Sequence, residues 1–146
     1  LIVREGFYLG RIKYADVTGD GQEEAFVSIG IFSGGSAMLD YIYIYTLYNQ
    51  RPKLLWSFAT GDRADGGLRR IFAENGELNI ELYGKSADGK GKIVGSDLFA
   101  DDGMIGGACC PTHFTRARYR WNGKRFMLRG DPEVLLNPKG HGSPIE

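Results

Sequence analysis

In "ELNIELYG", residues 77–84, Leu78, Ile80 and Leu82 alternate with Asn79, Glu81 and Tyr83. A period of two places each set on its own side of an extended chain and does not fit the 3.6-residue repeat of a helix. Asn75-Gly76 stands directly before this run, with "LRRIFAEN" before it. Asn-Gly supplies the two positive φ angles of a type I′ hairpin turn. The chain is therefore required to fold here as two antiparallel strands.

The same pattern recurs along the sequence. "EAFVSIGIF" puts Val27, Ile29 and Ile31 on one side and Ser28 and Gly30 on the other. "YIYIYTLY" is aromatic and β-branched on both sides, which predicts a strand covered on both faces. "GFYLGRIKYA", "KLLWSFAT", "FTRARYRW" and "KRFMLRG" are further strand candidates. "WNGK" predicts a second Asn-Gly hairpin, and "YNQRPK" a turn with Pro52 outside the paired region.

The expected fold class is all-β, with about eight mostly antiparallel strands in two meanders. Segments near 6–15, 24–33, 39–48 and 53–60 form the first meander, and those near 67–74, 77–84, 113–121 and 124–129 the second. Each is propeller-blade-like, but two blades close no ring, so a sandwich or a strongly coiled sheet is expected. One long insertion loop, Lys85 to Thr112, rich in Gly, Asp and Lys, interrupts the second. Its length marks it as a functional or mobile loop. A single β domain is expected over 1–130, followed by a tail, 131–146. In that tail Asp131 and Pro132 would start a short helical turn.

With 146 residues the chain is long enough to bury a core, and 22 glycines fit repeated turns, since apolar residues remain plentiful. Net charge is zero but unevenly spread. His113 to Arg129 holds Arg116, Arg118, Arg120, Lys124, Arg125 and Arg129 with no acid, while acids outnumber bases from Gly61 to Cys110. A domain-wide basic excess is missing, which argues against nucleic acid as a partner. No apolar run approaches the ~20 residues of a membrane span.

"DVTGDGQEE", residues 16–24, carries the clearest ion-site pattern. Asp16, Thr18 and Asp20 occupy positions 1, 3 and 5, Gly21 position 6, Gln22 position 7 and Glu24 position 9 of an oxygen-rich loop. The alternative is a Gly-Asp-Gly turn held by Asx hydrogen bonds. The stretch resembles the Asp-x-Asp-x-Asp-Gly loops of FG-GAP and VCBS-type repeats of secreted β-propeller proteins. That resemblance implies a loop between two strands of a blade, with calcium as the cofactor.

Cys109 and Cys110 are adjacent, between two glycines and Pro111. In a strand they would point apart, whereas a turn would allow a vicinal disulfide, which fits an oxidising compartment. A reduced pair, a redox switch or a thiolate site with His113 are the other readings. "CCPTHFTRARYRWNGKRF" resembles the ending of secreted bacterial domains without an assigned activity, which implies export. The abrupt start at Leu1 is read as a mature or trimmed chain, its leader missing, of a periplasmic, cell-surface or secreted protein.

Two stripes complete the candidates. Phe114, Arg116, Arg118 and Arg120 share one strand face, on which the arginines would bind an anionic ligand or cross the acidic region of the same chain. Tyr41, Tyr43 and Tyr45 share another, suited to stacking on sugars or on cross-strand neighbours. Catalytic signatures are sparse: the histidines are His113 and His141, and no Gly-x-Ser-x-Gly frame occurs. The expectation is a non-enzymatic exported domain that binds a protein or glycan partner and is stabilised by calcium. The alternative is a small hydrolase or thiol-redox protein using the 85–112 loop and the cysteine pair.

Overall fold

Turn chemistry sets the order of the strands. The structure is a computed structural model and describes residues 6–32, 38–62, 66–85, 91, 93–94 and 111–137. Among these, nine strands form two antiparallel sheets and no helix occurs. The first sheet runs in chain order through β1 (Phe7–Ala15), β2 (Glu24–Phe32), β3 (Met38–Tyr48) and β4 (Arg51–Ala59). The second contains β5 (Leu68–Glu74), β6 (Glu77–Tyr83), β7 (His113–Trp121), β8 (Phe126–Leu128) and β9 (Glu133–Leu136).

The turn at Asn75 and Gly76 takes φ values of 54° and 72°, as a type I′ turn requires. The β7–β8 connection differs from expectation. Only Gly123 has a positive φ there, and the Asn122 side chain accepts hydrogen bonds from the Lys124 and Arg125 amides, both at 2.9 Å. A further two-residue turn joins β3 to β4, where Asn49 and Gln50 have φ of 49° and 60°. It places Pro52 opposite Leu47 inside β4, not outside the paired region. An edge strand tolerates this because one side of its backbone needs no partner.

Residues 133–136 correct another expectation. They form β9, not a helical turn, and pair with the first half of β7. β8 and β9 follow one another along the edge of β7 opposite β6. Cross-strand pairing from Arg116 to Glu133 and from Phe114 to Leu135 captures the segment that Pro132 begins.

One shared core joins the sheets. Phe26, Ile42, Ile44 and Phe58 from the first meet Ile71, Leu78, Ile80 and Phe126 from the second. The Trp56 ring lies 5.0 Å from Tyr119 and 5.4 Å from Phe126 across the gap. Each fully buried aliphatic or aromatic side chain contributes about 1.5–3 kcal/mol. Val94 of the insertion also enters this core, and Gly91 lies against Thr115 and Pro132.

On β2 the inward side is Phe26, Ser28 and Gly30, while Val27, Ile29 and Ile31 face outward and are half-buried. Gly30 is inward because the Tyr8 ring lies over it; a Cβ there would sit 2.0 Å from the Tyr8 Cζ. Two bulges then set what the outer side displays. In β1 the register shifts between Leu9 and Ile12, so Phe7, Leu9, Ile12 and Tyr14 all oppose the outward residues of β2. In β4 the shift after Ile44 sets Leu54 opposite Tyr45.

Candidate functional site

The acidic loop between β1 and β2 is a turn stitched by its own carboxylates. Asp16 accepts hydrogen bonds from the Gly19 amide at 2.6 Å and the Gly21 amide at 2.9 Å. Asp20 accepts one from the Gln22 amide at 2.8 Å. Gly19 and Gly21 have φ of 76° and 86°, so both need the freedom of glycine. Glu24 turns inward beneath the loop and is fully buried. Its carboxylate accepts from the Val17 and Thr18 amides at 3.0 and 3.2 Å and from the Thr46 hydroxyl at 3.1 Å. Glu24 therefore ties the loop backbone to β3. Among the described residues no three His, Cys, Asp or Glu side chains converge as a metal set. The Thr18 hydroxyl also turns to Glu24 and both Asp16 oxygens are held by backbone amides, so Asp20, Gln22 and Glu23 are the exposed oxygen-bearing side chains of the loop.

The arginine row on β7 is largely answered by acids of the same sheet. Arg116 donates through Nε and Nη2 to Glu81 at 2.9 and 2.7 Å, and Arg69 holds the other oxygen of that carboxylate. Glu81 has no solvent exposure, and the Arg69 guanidinium stacks 4.0 Å from the Phe114 ring centre. Arg118 pairs with Glu133 of β9. Arg120 is exposed and has no ion pair among the described residues. Sequence alternation did not reveal the burial of Glu81 and Asn79, which it set only on the side opposite Leu78, Ile80 and Leu82. The available signal was the three arginines, Arg69, Arg70 and Arg116, that register brings around one acid.

The tyrosine row belongs to a larger surface. Tyr41, Tyr43 and Tyr45 lie on the outer side of the first sheet, with the Tyr43 and Tyr45 rings 6.4 Å apart and nearly parallel. Expected cover on both faces of β3 is present on one only: Ile42 and Ile44 are buried, while Tyr41 is 37% and Leu47 60% exposed. β1 adds Leu9, Ile12 and Tyr14, at 45%, 47% and 63%. Seven of the eleven exposed large apolar residues of the described chain lie on this one face. Among the described residues register places no charged side chain on it: the outward positions of β2 are Ala25, Val27, Ile29 and Ile31, and those of β4 are Pro52, Leu54, Ser57 and Ala59. Arg11 and Lys13 point to the other side, where they line a shallow, water-sized crevice with Phe26, Ser28, Ile42 and Ile71.

Burial also moves three titrations, and the first is Tyr8, raised by burial and by the neighbouring Asp40 carboxylate. Tyr119 is pushed up to about 12 because its phenol is buried, and its hydroxyl makes no hydrogen bond of normal geometry. Asp40, beside Gly30 in the β2–β3 register, is raised above the ordinary carboxylate value by burial. His113 accepts or donates through Nδ1 to the neighbouring Thr112 hydroxyl at 2.9 Å. Cys109 and Cys110 lie outside the described residues. No family model matches the chain, and no curated protein or solved structure matches it.

Proposed function

We propose that this chain is a non-enzymatic binding domain of an exported protein, and that it holds a protein partner on the outer face of the first sheet. The observation that carries the reading is the charge-free apolar face. Exposed apolar patches of this extent mark interaction surfaces. A protein fits it better than a glycan. Sugar hydroxyls need directional donors and acceptors beside a stacking ring, and here aliphatic side chains surround the tyrosines.

Export is supported by the Cys109–Cys110 pair, read as a vicinal disulfide, and by the resemblance of the C-terminal segment to secreted domains. Calcium at Asp16 and Asp20, assisted by Thr18 and Gln22, is supported by the spacing of these oxygen groups along the loop and by the exposed Asp20 carboxylate. Its affinity is weak with so few charges. Calcium then raises the melting temperature by a few degrees at millimolar concentration, and Asp20→Ala removes the rise.

An apolar environment-sensitive dye tests the binding face. At low protein concentration it binds saturably, and Leu9→Lys with Leu54→Lys suppresses the signal. A panel of glycans leaves the tyrosine resonances unmoved. Glycan-induced shifts at Tyr41 and Tyr43, or dye binding indifferent to the two lysines, would reject the reading.

A further inference from the structure

We infer that the partner on this face is a second copy of the same chain, packed sheet against sheet about a two-fold axis. The inference rests on the binding-domain reading above and adds the identity of the occupant.

Charge is the first argument. Two copies of one surface bring every charge against its like near the axis, and this face has none to oppose. Partners of a different kind generally set orientation and reject competitors through complementary charges, which this face does not offer. The β1 bulge is the device that makes the face neutral. Without it, strict alternation would put Arg11 and Lys13 on the side of Phe7 and Leu9. With it, both cations go to the inner edge and Ile12 and Tyr14 come outward.

Shape is the second. Sheets pack face to face when their twists agree, with strands about 30° apart. Two copies of the same sheet satisfy that condition automatically. Ala25 opposite Tyr45, Ser57 opposite Tyr43 and Ala59 opposite Tyr41 supply hollows beside ridges, so the rings of one copy have places to sit on the other.

Area is the third. Strands of 9 to 11 residues at ~3.3 Å per residue, four abreast at ~4.8 Å, give a face of roughly 600 Å². Two copies bury about 1,200 Å², the lower end of a specific interface. The expected dimer is therefore reversible, with a micromolar dissociation constant.

Sedimentation velocity of the full chain across the micromolar range, with hydroxyl-radical labelling of Tyr14 and Tyr41, tests this. A monomer–dimer equilibrium is expected, with both tyrosines protected as dimer forms. Ile12→Asp and, separately, Leu47→Lys shift the equilibrium to monomer at least tenfold. Both positions are exposed, at 47% and 60%, so either variant folds. Met127→Glu, an exposed apolar position on the second sheet, leaves the equilibrium unchanged. A monomer at every concentration with freely labelled tyrosines overturns the inference and leaves the face open to another protein. A monomer with protected tyrosines overturns both, since the chain then covers its own face. A dimer that ignores Ile12→Asp and Leu47→Lys also overturns it.

Discussion

Glu24 and Tyr119 show how burial assigns opposite roles to polar side chains. The Glu24 carboxylate is surrounded by donors, two backbone amides and the Thr18 and Thr46 hydroxyls. Removing it leaves amides at the base of the loop without an acceptor, and hydrogen bonds to a charged group contribute about 1.5–3 kcal/mol. Glu24→Ala should therefore lower stability by about 3 kcal/mol, and Glu24→Gln by less. Urea unfolding measures both, and an unchanged midpoint for Glu24→Ala would refute the anchoring role. Tyr119 is the reverse case, a buried hydroxyl lacking a good partner. Its folded value of about 12 lies above the ordinary 10.0. The stability this contributes is complete below the ordinary value and is lost as pH rises towards the folded one, because the unfolded chain releases a proton that the folded chain keeps. Tyr119→Phe should match the parent at neutral pH and outlast it in alkaline denaturation. Identical alkaline curves for the two proteins would show that Tyr119 does not drive the loss.

At the scale of elements, the strands and most turns were legible because they follow local rules. Asn75-Gly76 fixed one hairpin, and the alternation in "ELNIELYG" fixed the strand after it. What local rules left open was which side of each strand faces in. On β2 the larger aliphatic set, Val27, Ile29 and Ile31, looks like the core side, yet Phe26 and the Tyr8 ring over Gly30 occupy it. That choice depends on contacts between strands distant in sequence. The β1 bulge had a visible cue, Gly10 inside an apolar run, whereas the β4 bulge at Leu55 had none. β9 was misread because Asp131-Pro132 is a helix-start pattern, and pairing with β7 overrode it. The acidic stretch was legible as a turn, but the inward rotation of Glu24 was not, since Thr46 on β3 draws it in. The insertion is tied to the second sheet at Gly91, where a Cβ would fall 2.5 Å from both Pro132 Cβ and Thr115 Cγ2. Gly91→Ala should therefore cost about 1–3 kcal/mol as an overpacking change. Thermal unfolding of Gly91→Ala checks this, and an unaltered melting temperature would mean the contact gives way freely.

For the whole molecule, the question is whether two meanders separated by a short connection unfold together. Trp56 decides it. From β4 of the first sheet its ring meets Tyr119 at 5.0 Å and Phe126 at 5.4 Å on the second, and Phe58 at 4.9 Å on its own. Trp121 also meets Phe126, with ring centres 5.0 Å apart. One aromatic cluster thus spans both sheets, and neither sheet can leave without exposing it. A single cooperative transition follows, with tryptophan fluorescence and far-ultraviolet circular dichroism tracing the same curve. Trp56→Ala removes the bridging ring and leaves a cavity against Tyr119 and Phe126, at a cost of about 3–5 kcal/mol. If the sheets are coupled through this cluster, amide exchange speeds up equally in β3 of the first sheet and β6 of the second, although only the first carries the substitution. Exchange that rises in β3 while β6 keeps its parent protection would show two independent units, and the shared core would then be a contact between sheets that fold separately.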